Sequence, residues 1–114
     1  MVLPVDRRTI VHKLLVLYPH PADPEAFNTY YRTTHLPLAS RMPGMLDHRF
    51  TTSISAGGAE SPYFAIYEAD FPDEATLVAA LSSPEGQAVE ADVPNYAPAG
   101  TVVLTYGTEV PPAG

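Results

Sequence analysis

The hydrophobic and polar positions of this chain change period several times, and each change marks an element. Residues 10–18, IVHKLLVLY, form a short aliphatic and β-branched run, which predicts a strand halted by the PHPADP loop. Asp23, Pro24 and Glu25 then follow the cap, proline, acid order of a helix start, and the spacing predicts a helix to about Thr34. Its stripe carries Phe27, Tyr31, Thr34, Leu38 and Met42, with Tyr30 at one edge and His35 at the other. Pro37 lacks an amide hydrogen and clashes with the turn before it. The helix is therefore expected to kink or restart around His35 and Leu36 before stopping at Pro43 and Gly44.

Met45 to Ser55 reads as a second strand, Ala56-Gly57-Gly58-Ala59 as a hairpin connection, and Tyr63 to Phe71 as a third strand. A second helical region opens at Pro72-Asp73 and runs through Leu81. Ser83-Pro84-Glu85 repeats the start signature for a short helix through about Asp92, and Thr101 to Val110 completes the set as a strand. The order βαββαβ is that of an α+β, ferredoxin-like fold, a four-stranded antiparallel sheet with helices on one face.

The strand faces add a further expectation. In the first strand Leu14, Val16 and Tyr18 oppose Val11, Leu15 and Leu17; in the third, Tyr63, Ala65, Tyr67, Ala69 and Phe71 oppose Phe64 and Ile66. An antiparallel sheet with a wet face alternates polar and apolar residues, whereas both faces here read as buried. Since helices cover one side, a second copy of the chain is expected on the other, giving a homodimer with the form of an α/β barrel.

Length and composition narrow the function. The 114 residues fit one domain, 1–114, with its core at about 10–110 and short flexible tails. A net charge of -7 with scattered basic residues argues against nucleic acid or an anionic membrane as partner. Cysteine is absent, which excludes disulfides, thiolate metal sites and a cysteine nucleophile. Neither a signal peptide nor a membrane span is legible, so a soluble, cytoplasmic protein is expected. No histidine spacing of metal-site type, phosphate loop or nucleophile elbow occurs, so no metal, cofactor or covalent hydrolase chemistry is expected.

The segments KLLVLYP, FNTYYRTTHLPLASRMPG with its His-x-Pro-Leu, SPEGQAVEADVPNYA and TVVLTYG together span nearly all of residues 10–107. In this ordered set the chain resembles the EthD family of small dimeric α/β-barrel proteins, named after a protein linked to ethyl tert-butyl ether degradation. The resemblance implies a ferredoxin-like subunit, a dimer and, as is common in the wider superfamily, a pocket between the sheet and its own helices. That superfamily includes cofactor-free monooxygenases, muconolactone isomerases and polyketide cyclases. The monooxygenases' tryptophan and asparagine pattern is not evident, and tryptophan is absent.

Within such a pocket His35 is the first candidate for general acid or base, because neutral imidazole exchanges a proton near pH 7; its bland alternative is to stabilise the kink at Pro37. Tyr31 lies one turn before it on the apolar stripe. Tyr30, about 100° away, cannot face inward with it. His48 either completes an acid–base pair with His35 or lies on the dimer side. Tyr63, Tyr67 and Tyr106 are strand residues placed to line a pocket, and Tyr96 to close it from a loop, although ordinary core packing serves any of them equally well. His12 and His20 carry no such expectation. Three readings follow: cofactor-independent isomerisation, cyclisation or decarboxylation of a hydrophobic, oxygenated small molecule; non-catalytic binding of such a ligand by a dimeric accessory protein; or a purely structural dimer in which the tyrosines and His35 fill the core and no cavity exists.

Overall fold

The computed structural model describes residues 10–112. Residues 1–9 and 113–114, which hold most of the expected tails, lie outside it. The chain runs β1 (His12–Pro19), α1 (Pro24–Tyr30), a π-helical turn (Tyr31–His35), α2 (Leu36–Ala39), β2 (Asp47–Thr51), β3 (Ser55–Ala56), β4 (Ala59–Glu60), β5 (Tyr63–Phe71), α3 (Glu74–Ser82), α4 (Pro84–Asp92), a 3₁₀ turn (Val93–Asn95) and β6 (Val102–Gly107). The main sheet has the order β2-β5-β1-β6 with every neighbour antiparallel, and β3 pairs with β4 in a separate ribbon. This is the ferredoxin-like α+β fold. Among the described residues no helix is long and apolar enough to cross a membrane.

Helices α1, α3 and α4 begin where side chains dictate. Asp23, Asp73 and Ser83 accept the amide hydrogens of Ala26, Thr76 and Gly86 at 3.1, 2.8 and 3.1 Å, satisfying donors that the first helical turn leaves without partners. The second strand is shorter than the expected 45–55. Gly57 and Gly58, with φ of 60° and 88°, turn the chain between β3 and β4, so the hairpin becomes its own two-stranded ribbon.

Register sorts the sheet into two faces. Leu14, Val16 and Tyr18 stand opposite Ala69, Tyr67 and Ala65, and Phe50 opposite Tyr67, all beneath the helices. There they join Phe27, Tyr31, Met42, Phe71, Leu77 and Ala80 in the core. The outer face is not the uniformly apolar surface that Leu15, Leu17 and Ile66 suggest. Glu68 and Asp70 alternate with Ile66 on β5, and Lys13 and Arg49 reach them at 2.7–3.6 Å, so one end of this face is an ion-pair network. The other end presents Leu15, Leu17, Ile66 and Leu104.

The bend at Pro37 is a π turn. The amide of Leu36 reaches back five residues to the Tyr31 carbonyl, widening the helix where an α turn would press the proline ring against the preceding carbonyls. The helix then continues as α2 to Ala39 and ends earlier than Pro43-Gly44.

Candidate functional site

The π turn carries His35 to the sheet side, where it is only 4% exposed. Its Nδ1 lies 2.8 Å from Oδ2 of Asp92, the last residue of α4. The other carboxylate oxygen of Asp92 accepts a short hydrogen bond from the Tyr30 hydroxyl and another, 3.0 Å, from the Asn95 amide. A carboxylate holding three donors has no proton of its own to give, so the bond to His35 runs from Nδ1–H to Asp92. Nε2 is then the unprotonated nitrogen of the neutral ring.

Burial lowers the pKa of His35, against the raising pull of Asp92. For Asp92 burial works upward, but the hydrogen bonds from Tyr30, Asn95 and His35 prevail and hold it below the usual carboxylate value. The dyad is therefore neutral imidazole beside carboxylate at neutral pH. Tyr96 packs over the imidazole at 4.4 Å between centroids, and Tyr31 stacks on it at 5.7 Å. The rings lock its orientation.

The imidazole forms part of the wall of a cavity of about 360 Å³ between sheet and helices. Most of that wall is apolar, from Leu14, Val16, Ala39, Met42, Leu81 and Val89, with Tyr18 and Tyr67 from the sheet. Val103, 58% exposed, and the exposed Glu90 also line it, which sets its mouth between α4 and β6. A ligand there meets grease on nearly every side and one ring nitrogen. Among the described residues no group of three or more His, Cys, Asp or Glu side chains gathers to hold a metal.

The other expected site residues scatter. Tyr67 lines the cavity. Tyr31 is wholly buried among Tyr18, Phe27 and Phe50; its hydroxyl has no hydrogen-bond partner among the described residues, and burial drives its pKa far up. It is a core residue and not part of the cavity wall. Tyr30 holds Asp92 from outside the cavity. Tyr96 bonds Tyr18 hydroxyl to hydroxyl at 2.6 Å and covers the imidazole. Tyr63 stands beside the register shift at Pro19 and is not in the cavity wall. Tyr106 pairs with Lys13, which puts it on the outer face, since its neighbours Val103 and Thr105 take the helix side. His48 does lie on the helix side, opposite Ala69, yet its Nδ1 meets the Tyr67 hydroxyl at 2.9 Å in a different cleft, so it forms no pair with His35.

Asp92 is the residue that sequence reasoning missed. One signal was available: a carboxylate at a helix C-terminus opposes the negative end of the helix dipole, and such a placement asks for compensating donors.

Residues 19–99 match the EthD domain family. The chain belongs to the EthD family, within the dimeric α/β-barrel superfamily. An uncharacterized 11.0 kDa protein from the thcB–thcC intergenic region of Rhodococcus erythropolis is 33% identical over 94 residues, which cover 82% of this chain and 91% of that one. The crystal structure of an EthD family protein from Bacillus halodurans C-125 superposes with a TM-score of 0.80 at 29% identity, covering 84% of this chain and 96% of that one. More distant structures share the fold alone: the hydroxynitrile lyase of Passiflora edulis (TM-score 0.70, 17% identity, 92% and 99% coverage) and a dimeric ferredoxin-like protein of unknown function from Thermobifida fusca YX (0.68, 16%, 92% and 97%).

Proposed function

We propose that this EthD protein binds a small, hydrophobic, oxygenated molecule in the cavity beside His35 and moves a proton on it, with His35 as general base and then general acid. The observation that carries the reading is the 2.8 Å contact between His35 Nδ1 and Asp92, which leaves Nε2 for the cavity side. Asp92 fixes the tautomer and stabilises the imidazolium formed when Nε2 takes a proton. Tyr30 and Asn95 are positioning residues, because they act through Asp92. The reaction class is isomerisation, cyclisation or decarboxylation at an acidic carbon. A hydroxynitrile lyase among the proteins of this fold supports small-molecule lyase chemistry as compatible with the scaffold.

The outer sheet face completes the proposal as a homodimer interface. Leu104, 46% exposed, continues the apolar end formed by Leu15, Leu17 and Ile66, while Tyr106, 41% exposed, stands beside Lys13 at the ion-pair end of the same face. A dimeric protein of the same fold supports this assembly.

The test uses a base-sensitive probe, the eliminative ring opening of 5-nitrobenzisoxazole, which needs only a base in an apolar pocket. Wild type is expected to accelerate it, with the rate falling at acid pH as His35 protonates, and His35→Gln to lose the acceleration. Equal rates in both proteins refute His35 as base. Saturable binding of the probe without turnover would instead establish the competing reading, a dimeric carrier or accessory protein whose imidazole makes one hydrogen bond.

A further inference from the structure

A second cleft lies on the other side of Tyr67. It is open and measures about 500 Å³, with Arg32, Leu36 and Pro37 on the helical wall and His48 and Phe50 on the strand wall. Arg32 and Leu36 are one turn apart on the same helix face, and His48 and Phe50 are two residues apart on the same strand face, so the two pairs look at each other across the gap. The Arg32 guanidinium carbon stands 4.8 Å from the Phe50 ring centroid, held across the cleft by cation–π attraction. Among the described residues it is paired with no carboxylate.

Donor geometry in the cleft is defined as well. The Tyr67 hydroxyl lies 2.9 Å from His48 Nδ1 and 3.8 Å from the Met45 sulfur. An imidazole nitrogen is the stronger acceptor and the nearer one, so the hydroxyl donates to Nδ1 and leaves Nε2–H of His48 as a donor. Among the described residues no acidic side chain lines the cleft, although acids outnumber bases 13 to 6 in the sequence. Arg49, at the rim, is already neutralised by Asp47, Glu68 and Asp70. The charge left to the cleft is that of Arg32.

We infer that this cleft is a second ligand site, one that takes a small carboxylate with a flat apolar body. The carboxylate meets Arg32 and His48 Nε2–H, and the body lies against Phe50, Leu36 and Pro37. Arginine suits this role because its planar fork matches a carboxylate edge to edge. The site is separate from the His35 cavity and shares only the Tyr67 wall with it.

Benzoate and its neutral counterpart benzamide, titrated into the full chain and followed by NMR, test the inference. Benzoate is expected to shift the His48 ring signals saturably and benzamide to leave them unmoved. Arg32→Gln should weaken benzoate binding about fivefold, Arg32→Lys less, and His35→Gln not at all. Equal binding of benzamide overturns the inference, as does unchanged affinity in Arg32→Gln or dependence on His35 in place of Arg32. Because the readout is at His48, a failure of proton transfer at His35 leaves this result untouched.

Discussion

Replacing Asp92 by asparagine tests the site with almost no change of shape. In the wild type one carboxylate oxygen receives Tyr30 and Asn95 and the other receives His35. An asparagine has one acceptor oxygen, and two donors already converge on the Oδ1 position, so the amide NH₂ turns toward His35. His35 must then accept at Nδ1 and carry its proton on Nε2, the reverse of the wild-type tautomer. The base is lost while the ring stays in place. Charge-assisted bonds are roughly twice as strong as neutral ones, and relief of the buried charge offsets part of the loss, so the net destabilisation is about 1–2 kcal/mol. Unfolding entropy of about 2.1 cal/mol/K per residue over 114 residues gives roughly 4 °C per kcal/mol, hence a Tm lower by about 4–8 °C. Long-range ¹H–¹⁵N spectra of the histidine rings report the tautomer directly. The expected result is protonated Nδ1 in wild type and protonated Nε2 in Asp92→Asn. The same tautomer in both proteins would show that Asp92 does not set the ring, and the reasoning would fall.

Stability should decline on acidification: burial depresses His35 below its ordinary 6.5, so the unfolded chain binds more protons there, and the stabilisation present above about pH 6.5 is lost as pH falls. A Tm that rises from pH 7 to pH 5 would contradict this, and Asp92, depressed below 3.8, adds a second loss that sets in only as pH falls below that value, which a Tm holding steady on further acidification would contradict. Leu104→Arg places a charge on the half-exposed apolar end of the outer face and should convert dimer to folded monomer in sedimentation velocity, unless that face is not the interface. Gly86→Ala drives a Cβ into the Ala80 carbonyl oxygen and to 2.7 Å from Leu81 Cα, so the α3–α4 corner must open. A cost of about 1–3 kcal/mol is expected in the urea midpoint at constant slope.

The fold was legible because its signals are local. Three capping residues, a glycine pair and four strand-forming runs each act within a few residues, and the four main strands and the capped helix starts fall in the regions those signals mark, with β2 and β6 shorter than expected. Pro37 announced a bend, though not that the helix would accommodate its ring by widening into a π turn. The site was legible only in part. His35 and Tyr67 came from elements whose facing the periodicity defines, whereas Asp92 lies 57 residues from His35 and meets it because α4 packs beside α2, and Asn95 reaches the site only through Asp92. Strand alternation also misled where it was read from apolar residues alone: Glu68 and Asp70 share the outer face with Ile66, and Tyr106 sits there too.

The cavity itself argues against a purely structural role for the imidazole. At about 24 cal/mol per Å³, a sealed void of 360 Å³ in an apolar core would cost roughly 9 kcal/mol, comparable to the whole stability of a domain at about 5–15 kcal/mol. The opening beside Val103 admits water and lowers that figure, but water gains few hydrogen bonds from walls of leucine, valine and methionine. Larger side chains at Ala39 or Val16 would close the space at no cost in chemistry, and the aromatic cluster of Tyr18, Phe27, Tyr31 and Tyr96 shows that this core packs densely just beside it. A dense cluster next to an open apolar hollow is what a binding cavity requires: the cluster holds the imidazole rigid, and the hollow keeps room for the molecule that the imidazole addresses.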